Sequence, residues 1–114
     1  MIGARLYLLQ RLSALVMVPL VIGHLAVMVY AVQGGLTVGE ILARTQGSVA
    51  WFTFYGLFVI AVSVHAAIGL RAITHEMAGL RGRALDAGTL AVGLALLLMG
   101  ARAVWSVTFA GGLA

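Results

Sequence analysis

Residues 49–70 read VAWFTFYGLFVIAVSVHAAIGL, and this stretch decides the fold of the chain. It contains no Asp, Glu, Lys or Arg, and a helix needs roughly 20 apolar residues to cross about 30 Å of hydrocarbon. A second run of this kind covers residues 12–32, and a third covers residues 87–110 with one interruption at Arg102. The three runs predict an all-α integral membrane protein with three transmembrane helices.

The composition supports a membrane protein. Hydrophobic residues make up 63% of the 114 residues and charged residues 9%, whereas soluble domains carry about 25% charged residues. The chain has no cysteine, which excludes disulfides and iron–sulfur clusters held by its own thiolates. We predict a single membrane domain over residues 1–114, with helices near residues 6–32, 49–74 and 87–110, and with a short amphipathic turn in the loop at 33–48.

The arginines predict the orientation in the membrane. Arg5 and Arg11 lie near the N-terminus, and three more arginines lie around the second loop, at positions 71, 81 and 83. Basic residues accumulate on the cytoplasmic side. We therefore expect a cytoplasmic N-terminus and second loop, an external first loop and C-terminus, and a location in the bacterial cytoplasmic membrane. This topology accounts for the net charge of +4, so we expect no nucleic-acid partner.

His65 lies inside the second span, and an ionisable group within a bilayer marks a candidate functional site. Gly69 follows four residues later on the same helix face. Its missing side chain leaves room for a flat ligand, and an imidazole beside such a space suits axial ligation of haem iron. The alternative is a histidine that is hydrogen-bonded to a neighbouring helix, with Gly69 as a close-packing residue.

His24 lies in the first span on the same helix face as Ser13, which predicts that this face contacts protein. Iron ligation and an interhelical hydrogen bond are equal interpretations on spacing alone. His24 lies 13 residues from Arg11, whereas His65 lies 6 residues from Arg71. If both arginines mark the inner interface, the two imidazoles differ in depth by roughly 10 Å. Each histidine would then serve a different haem, paired with a histidine of another subunit.

Polar and small residues nearer the span ends carry further predictions. Glu76 lies eleven residues beyond His65 on the same face, where its carboxylate either takes part in proton delivery or is solvated or ion-paired. Arg102 either reaches the lipid headgroups or pairs with an acidic cofactor group such as a haem propionate. Gly93 and Gly100 share a face of the third helix and predict a contact between helices.

Two short motifs resemble the membrane-anchor subunits of succinate dehydrogenase and fumarate reductase. Residues 10–14, QRLSA, are similar to the Arg-x-Ser/Thr-Gly/Ala element that opens the first helix of that family. Residues 65–71, HAAIGLR, followed by Glu76, resemble the signature of the second helix, which is His-x-x-x-Gly, a basic residue and then an acidic one. Three helices in a chain of this length also fit the family.

The resemblance implies haem b at His65, with Gly69 and Arg71 at the same cofactor and a histidine of a sister anchor as the second ligand. A histidine in the first helix also ligates iron in members that bind two haems, which implies a second haem at His24. The resemblance thus supports iron ligation at both histidines, and Arg102 remains a candidate partner for a propionate.

The resemblance also implies a quinone site. The arginine of the first motif lies near ubiquinone or menaquinone in that family, which assigns Arg11 to quinone with Ser13 nearby. One of the two anchor types has Asp-Tyr after the second-helix signature, and its tyrosine binds quinone. This chain has Glu76 followed by Met77, so either it is the other anchor type or its quinone site differs. Glu76 and Tyr7, which lies one turn before Arg11, are the further candidate quinone residues, with Tyr7 as a substitute for the tyrosine.

The predicted function is a haem-b-binding anchor of a succinate:quinone oxidoreductase. The chain would be inactive alone. It would dock an iron–sulfur subunit and a flavoprotein subunit beside a second membrane anchor in the lipid bilayer, and it would help to form the quinone site. Two other classes remain open: a haem-free structural anchor, and a small oligomeric transporter or channel subunit in which His24 and His65 line a path.

Overall fold

The chain is helical throughout the part described by the computed structural model, which covers residues 2–110. Its elements, in chain order, are α1 (Ile2–Gly34), α2 (Val38–Thr45), α3 (Val49–Ala78) and α4 (Gly82–Thr108). The helices α1, α3 and α4 are long and apolar enough to cross a membrane. The prediction of an all-α chain with three such helices is confirmed, and no strand occurs among the described residues.

Each long helix extends beyond its uncharged run at one end or both, although α4 ends at Thr108 and not at the predicted residue 110. The first helix begins at Ile2 rather than near residue 6, the second ends at Ala78 rather than near residue 74, and the third begins at Gly82 rather than near residue 87. An uncharged run measures the part of a helix that suits hydrocarbon, whereas backbone hydrogen bonding continues until the chain turns. Here α3 ends where Gly79 adopts the left-handed conformation, with φ of 71°.

The amphipathic turn predicted in the first loop is the eight-residue helix α2. It begins after Thr37, whose hydroxyl accepts from the backbone N–H of Glu40 at 3.2 Å and caps the first turn. It is held at its other end by Thr45, which is buried and whose hydroxyl donates to the backbone carbonyl of Val107. This bond ties α2 to the end of α4, so the first loop folds back over the bundle.

The central helix of the bundle is α3, which packs against α1 on one side and α4 on the other. The contact with α4 runs through two glycines of that helix. A Cβ atom at Gly93 would lie 3.1 Å from the Cβ of Ala67, and one at Gly100 would lie 2.5 Å from a methyl carbon of Val59. The predicted helix contact at these glycines is confirmed, and it lets the two backbones approach closely.

We expect Gly100→Ala to destabilise the protein, because the added methyl group would overlap Val59. Overpacking of this kind costs about 1–3 kcal/mol. The matched control is Gly88→Ala in the same helix, where no atom of a neighbouring helix lies within 4 Å of the new methyl group. The measurement is thermal unfolding of the purified protein in detergent. Equal stability of the two variants would show that α3 and α4 do not pack as described.

Candidate functional site

The candidate site begins with a polar contact between α1 and α3. Nδ1 of His65 lies 3.2 Å from the hydroxyl oxygen of Ser13, and that hydroxyl donates to the backbone carbonyl of Gln10 at 2.9 Å. Ser13 is only 6% exposed, whereas His65 is half-buried. His65 therefore makes the interhelical hydrogen bond that the sequence allows, and its second ring nitrogen remains for another partner.

The space beside Gly69 is filled from α1. A Cβ atom on Gly69 would lie 3.5 Å from the amide nitrogen of Gln10, which corrects the expectation of an open gap at this glycine. The reason is the pairing of the helices: Gln10 precedes Ser13 by about one turn, and Gly69 follows His65 by about one turn, so the antiparallel helices bring them together. A flat ligand at His65 therefore has to lie on the side of the ring that this chain leaves partly exposed.

His24 lies in an apolar groove nearer the other end of α1. The edges of its ring meet Phe58 and Tyr55, with centroid separations of 5.2 and 6.2 Å. The groove has a volume of about 410 Å³, and α4 lines it with apolar residues such as Gly100 and Val104. His24 makes these ring contacts, and among residues 2–110 no hydrogen bond to its imidazole is found. This groove is thus lined by His24 and not by His65.

The two histidines lie at different levels of the bundle. His24 contacts Phe58, which precedes His65 by seven residues, or about 10 Å along α3. His65 contacts Ser13, which precedes His24 by eleven residues, or roughly 16 Å along α1. This separation agrees with the depth difference estimated from the sequence. Within this chain the two imidazoles are too far apart to hold one metal ion between them.

Arg44 is a site residue that the sequence reasoning missed. It lies in the last turn of α2, and its guanidinium carbon is 5.3 Å from the centroid of the Tyr30 ring. A second groove, of about 360 Å³, is lined by Arg44 together with His24 and by the stacked rings of Trp51 and Tyr55. The amphipathic pattern of the first loop indicated a short helix around Arg44. It did not indicate that this helix folds back toward His24.

The structure separates Arg11 from Ser13. Ser13 faces α3, whereas Arg11 is exposed and its guanidinium carbon lies 5.8 Å from the ring centroid of Tyr7, which is also exposed. Two residues along a helix correspond to a rotation of about 200°, so the two side chains point to opposite sides of α1. The predicted pair of Arg11 and Tyr7 therefore shares a surface, and Ser13 does not belong to it.

Over residues 1–110 the sequence matches the family described as succinate dehydrogenase/fumarate reductase transmembrane subunit. The chain belongs to this family. Comparisons with curated proteins and with solved structures gave no match. Together with the three apolar helices, membership indicates a multi-pass membrane protein that assembles with other subunits of its complex. The resemblance predicted from the two motifs is confirmed at the level of the family.

Three further predicted residues of this transmembrane subunit lie apart from the histidines. Nε of Arg71 pairs with a carboxylate oxygen of Asp86 at 2.9 Å, which links α3 to the start of α4. Glu76 is exposed near the end of α3. Arg102 is exposed on α4 and lines neither of the grooves at His24. Of the two arginines in the half of the bundle that contains α2, Arg44 is the one beside His24.

Proposed function

We propose that the chain is a haem-b-binding anchor of a succinate:quinone oxidoreductase, with His65 as an axial ligand. The observation that carries the proposal is a histidine in the apolar helix α3, with one ring nitrogen held by Ser13 and the other available. Membership of the family supports the anchor role. Haem, when bound, would hold one electron beside the path from the iron–sulfur subunit to quinone.

The donor set of the chain fits a macrocycle better than a bare ion. No group of three or more His, Cys, Asp or Glu side chains that could hold a metal ion occurs among the described residues. A porphyrin brings four nitrogens of its own, so each iron needs only axial ligands from protein. Because His24 and His65 lie at different levels, the second ligand to each iron would come from another chain. This need for a second ligand supports a sister anchor that covers the partly exposed side of His65.

Arg71 is the proposed charge partner of the haem at His65. It follows His65 by six residues, or about 9 Å toward the end of α3, and its ion pair with Asp86 leaves other guanidinium N–H groups to donate. A guanidinium binds a carboxylate strongly because its donors match the carboxylate oxygens. Its place directly after the uncharged run of α3 suits a propionate that extends toward water.

We place the quinone site at the N-terminal end of α1, on the surface shared by Arg11 and Tyr7. A guanidinium in a largely apolar setting can donate to a quinone carbonyl oxygen, and the Tyr7 ring beside it offers an apolar wall. Reduction of one quinone consumes two electrons and two protons. The exposed carboxyl of Glu76 lies at the end of α3 that pairs with the N-terminal end of α1, where it can pass protons from the proposed cytoplasmic side.

The proposal includes a second haem, with His24 as its ligand. The support is the apolar groove around that ring, with its aromatic walls. Arg44 replaces Arg102 as the proposed partner of a propionate, because it lines a groove together with His24. Arg102 is instead proposed to reach the lipid headgroups from the exposed face of α4.

The first test is the absorbance spectrum of the purified complex. We expect His65→Ala to remove one b-type signal from the reduced-minus-oxidised spectrum, because the iron would lose an axial ligand. The control is His75→Ala, which removes an exposed histidine of the same helix whose Nδ1 contacts the backbone carbonyl of Leu80. A spectrum that is unchanged in His65→Ala would exclude His65 as an iron ligand, whereas the absence of any b-type signal from the purified complex would favour a haem-free anchor.

The quinone assignment is tested by steady-state kinetics of the assembled complex. We expect Arg11→Gln to raise the KM for quinone at least about tenfold, because a hydrogen bond to a charged group contributes about 1.5–3 kcal/mol. Succinate oxidation with a water-soluble electron acceptor should not change. The control is Arg5→Gln, another exposed arginine of α1. An equal effect of both variants would indicate general electrostatic attraction rather than a site at Arg11.

The role of Arg44 is tested by potentiometric titration. We expect Arg44→Gln to lower the midpoint potential of the haem at His24 by on the order of 40 mV, equivalent to about 1 kcal/mol for one electron, because a nearby positive charge favours the reduced form. Arg102→Gln is the matched control in the same half of the bundle. A larger shift of the midpoint potential in Arg102→Gln would instead support Arg102, the residue proposed from the sequence, as the partner of the propionate.

A further inference from the structure

We propose that Ser13 is a positioning residue that holds the His65 imidazole in its Nδ1–H tautomer, and so presents Nε2 to iron. The inference rests on the proposed haem at His65. It differs from the role that the first-helix motif suggests for Ser13, which is a place in the quinone site. The basis is the direction of the hydrogen bonds at the α1–α3 contact.

A serine hydroxyl has one proton to donate and two lone pairs that accept. The proton of Ser13 goes to the backbone carbonyl of Gln10, at 2.9 Å. With that proton committed to Gln10, we assign the ring nitrogen as donor and the hydroxyl oxygen as acceptor in the 3.2 Å contact with His65. A neutral imidazole with its proton on Nδ1 has a lone pair on Nε2, and that lone pair is what a metal ion binds.

The burial of Ser13 makes its hydrogen bond with His65 specific. Ser13 is 6% exposed, so water does not compete for its oxygen, and an unpaired polar group in this setting costs free energy. The hydroxyl is anchored in its own helix by the Gln10 carbonyl, which restricts its rotation. No ion pair to His65 is found among residues 2–110. Ser13 is therefore the group of this chain that orients the His65 ring.

A hydrogen bond from the distal nitrogen of a ligating histidine makes the ligand more basic. A more basic ligand favours the oxidised iron, so this contact should lower the midpoint potential of the haem at His65. Loss of this hydrogen bond should change the ratio of oxidised to reduced haem at a fixed potential by roughly threefold, which is about 28 mV at about 59 mV per tenfold change.

The test is a potentiometric titration of the purified complex, followed at the b-type band that is lost in His65→Ala. We expect Ser13→Ala to raise the midpoint potential by about that amount and Ser13→Thr, which keeps a hydroxyl, to restore it. The matched control is Ser63→Ala, because Ser63 is an equally buried serine at 5% exposure that lines the groove at His24 rather than contacting His65. If Ser13→Ala does not assemble, Ser13→Cys replaces the oxygen by a weaker acceptor and should shift the potential in the same direction.

The outcomes separate the inference from the proposed function. An unchanged spectrum in His65→Ala would remove the haem at His65, and the inference with it. A normal spectrum with an unchanged potential in Ser13→Ala would overturn the inference alone, as would an equal shift in Ser63→Ala. A raised KM for quinone in Ser13→Ala without a change in potential would also overturn it and assign Ser13 to the quinone site.

Discussion

The polar contact between Ser13 and His65 is the constraint on which the arrangement of this subunit depends. Inside a bilayer no water is available to a polar side chain, so a hydroxyl and an imidazole on adjacent helices stabilise the pairing that brings them together. That pairing sets the register of α1 against α3. It brings Gln10 to the glycine at position 69 and Gly23 to the ring of Phe54, where a Cβ atom would lie 3.1 Å from the nearest ring carbon.

The same register keeps the two histidines apart. Once Ser13 is level with His65, the position of His24 along α1 is determined, and it falls beside Phe58 in the half of the bundle that α2 covers. The approach of α4, made possible by its glycines, supplies the other wall of the groove at His24. The Ser13–His65 contact and the glycine-lined contact between α3 and α4 therefore give the two imidazoles separate environments in a chain of 114 residues.

Much of this architecture follows from local properties of the sequence. The three long helices follow from the uncharged runs, and the level of each histidine follows from the constant rise of a helix. The space at Gly69 could not be predicted, because it depends on the rotation of α1, which presents Gln10 to that glycine. Arg44 was missed for a similar reason: its place beside His24 depends on the fold of a loop, through the bond between Thr45 and Val107.

The short motif QRLSA shows how neighbouring residues acquire unrelated surroundings. Successive residues of a helix are rotated by about 100°. Ser13 therefore faces α3, whereas Arg11 lies on the exposed side with Tyr7. Gln10 faces the same interface as Ser13, where its amide lies against Gly69. A motif of this length can thus serve the cofactor side and the quinone side of one helix at once. Ser13 and Arg11 belong to a single rigid helix, so a change in the packing of α1 would move both side chains. The backbone of α1 would thereby couple the proposed haem and quinone environments.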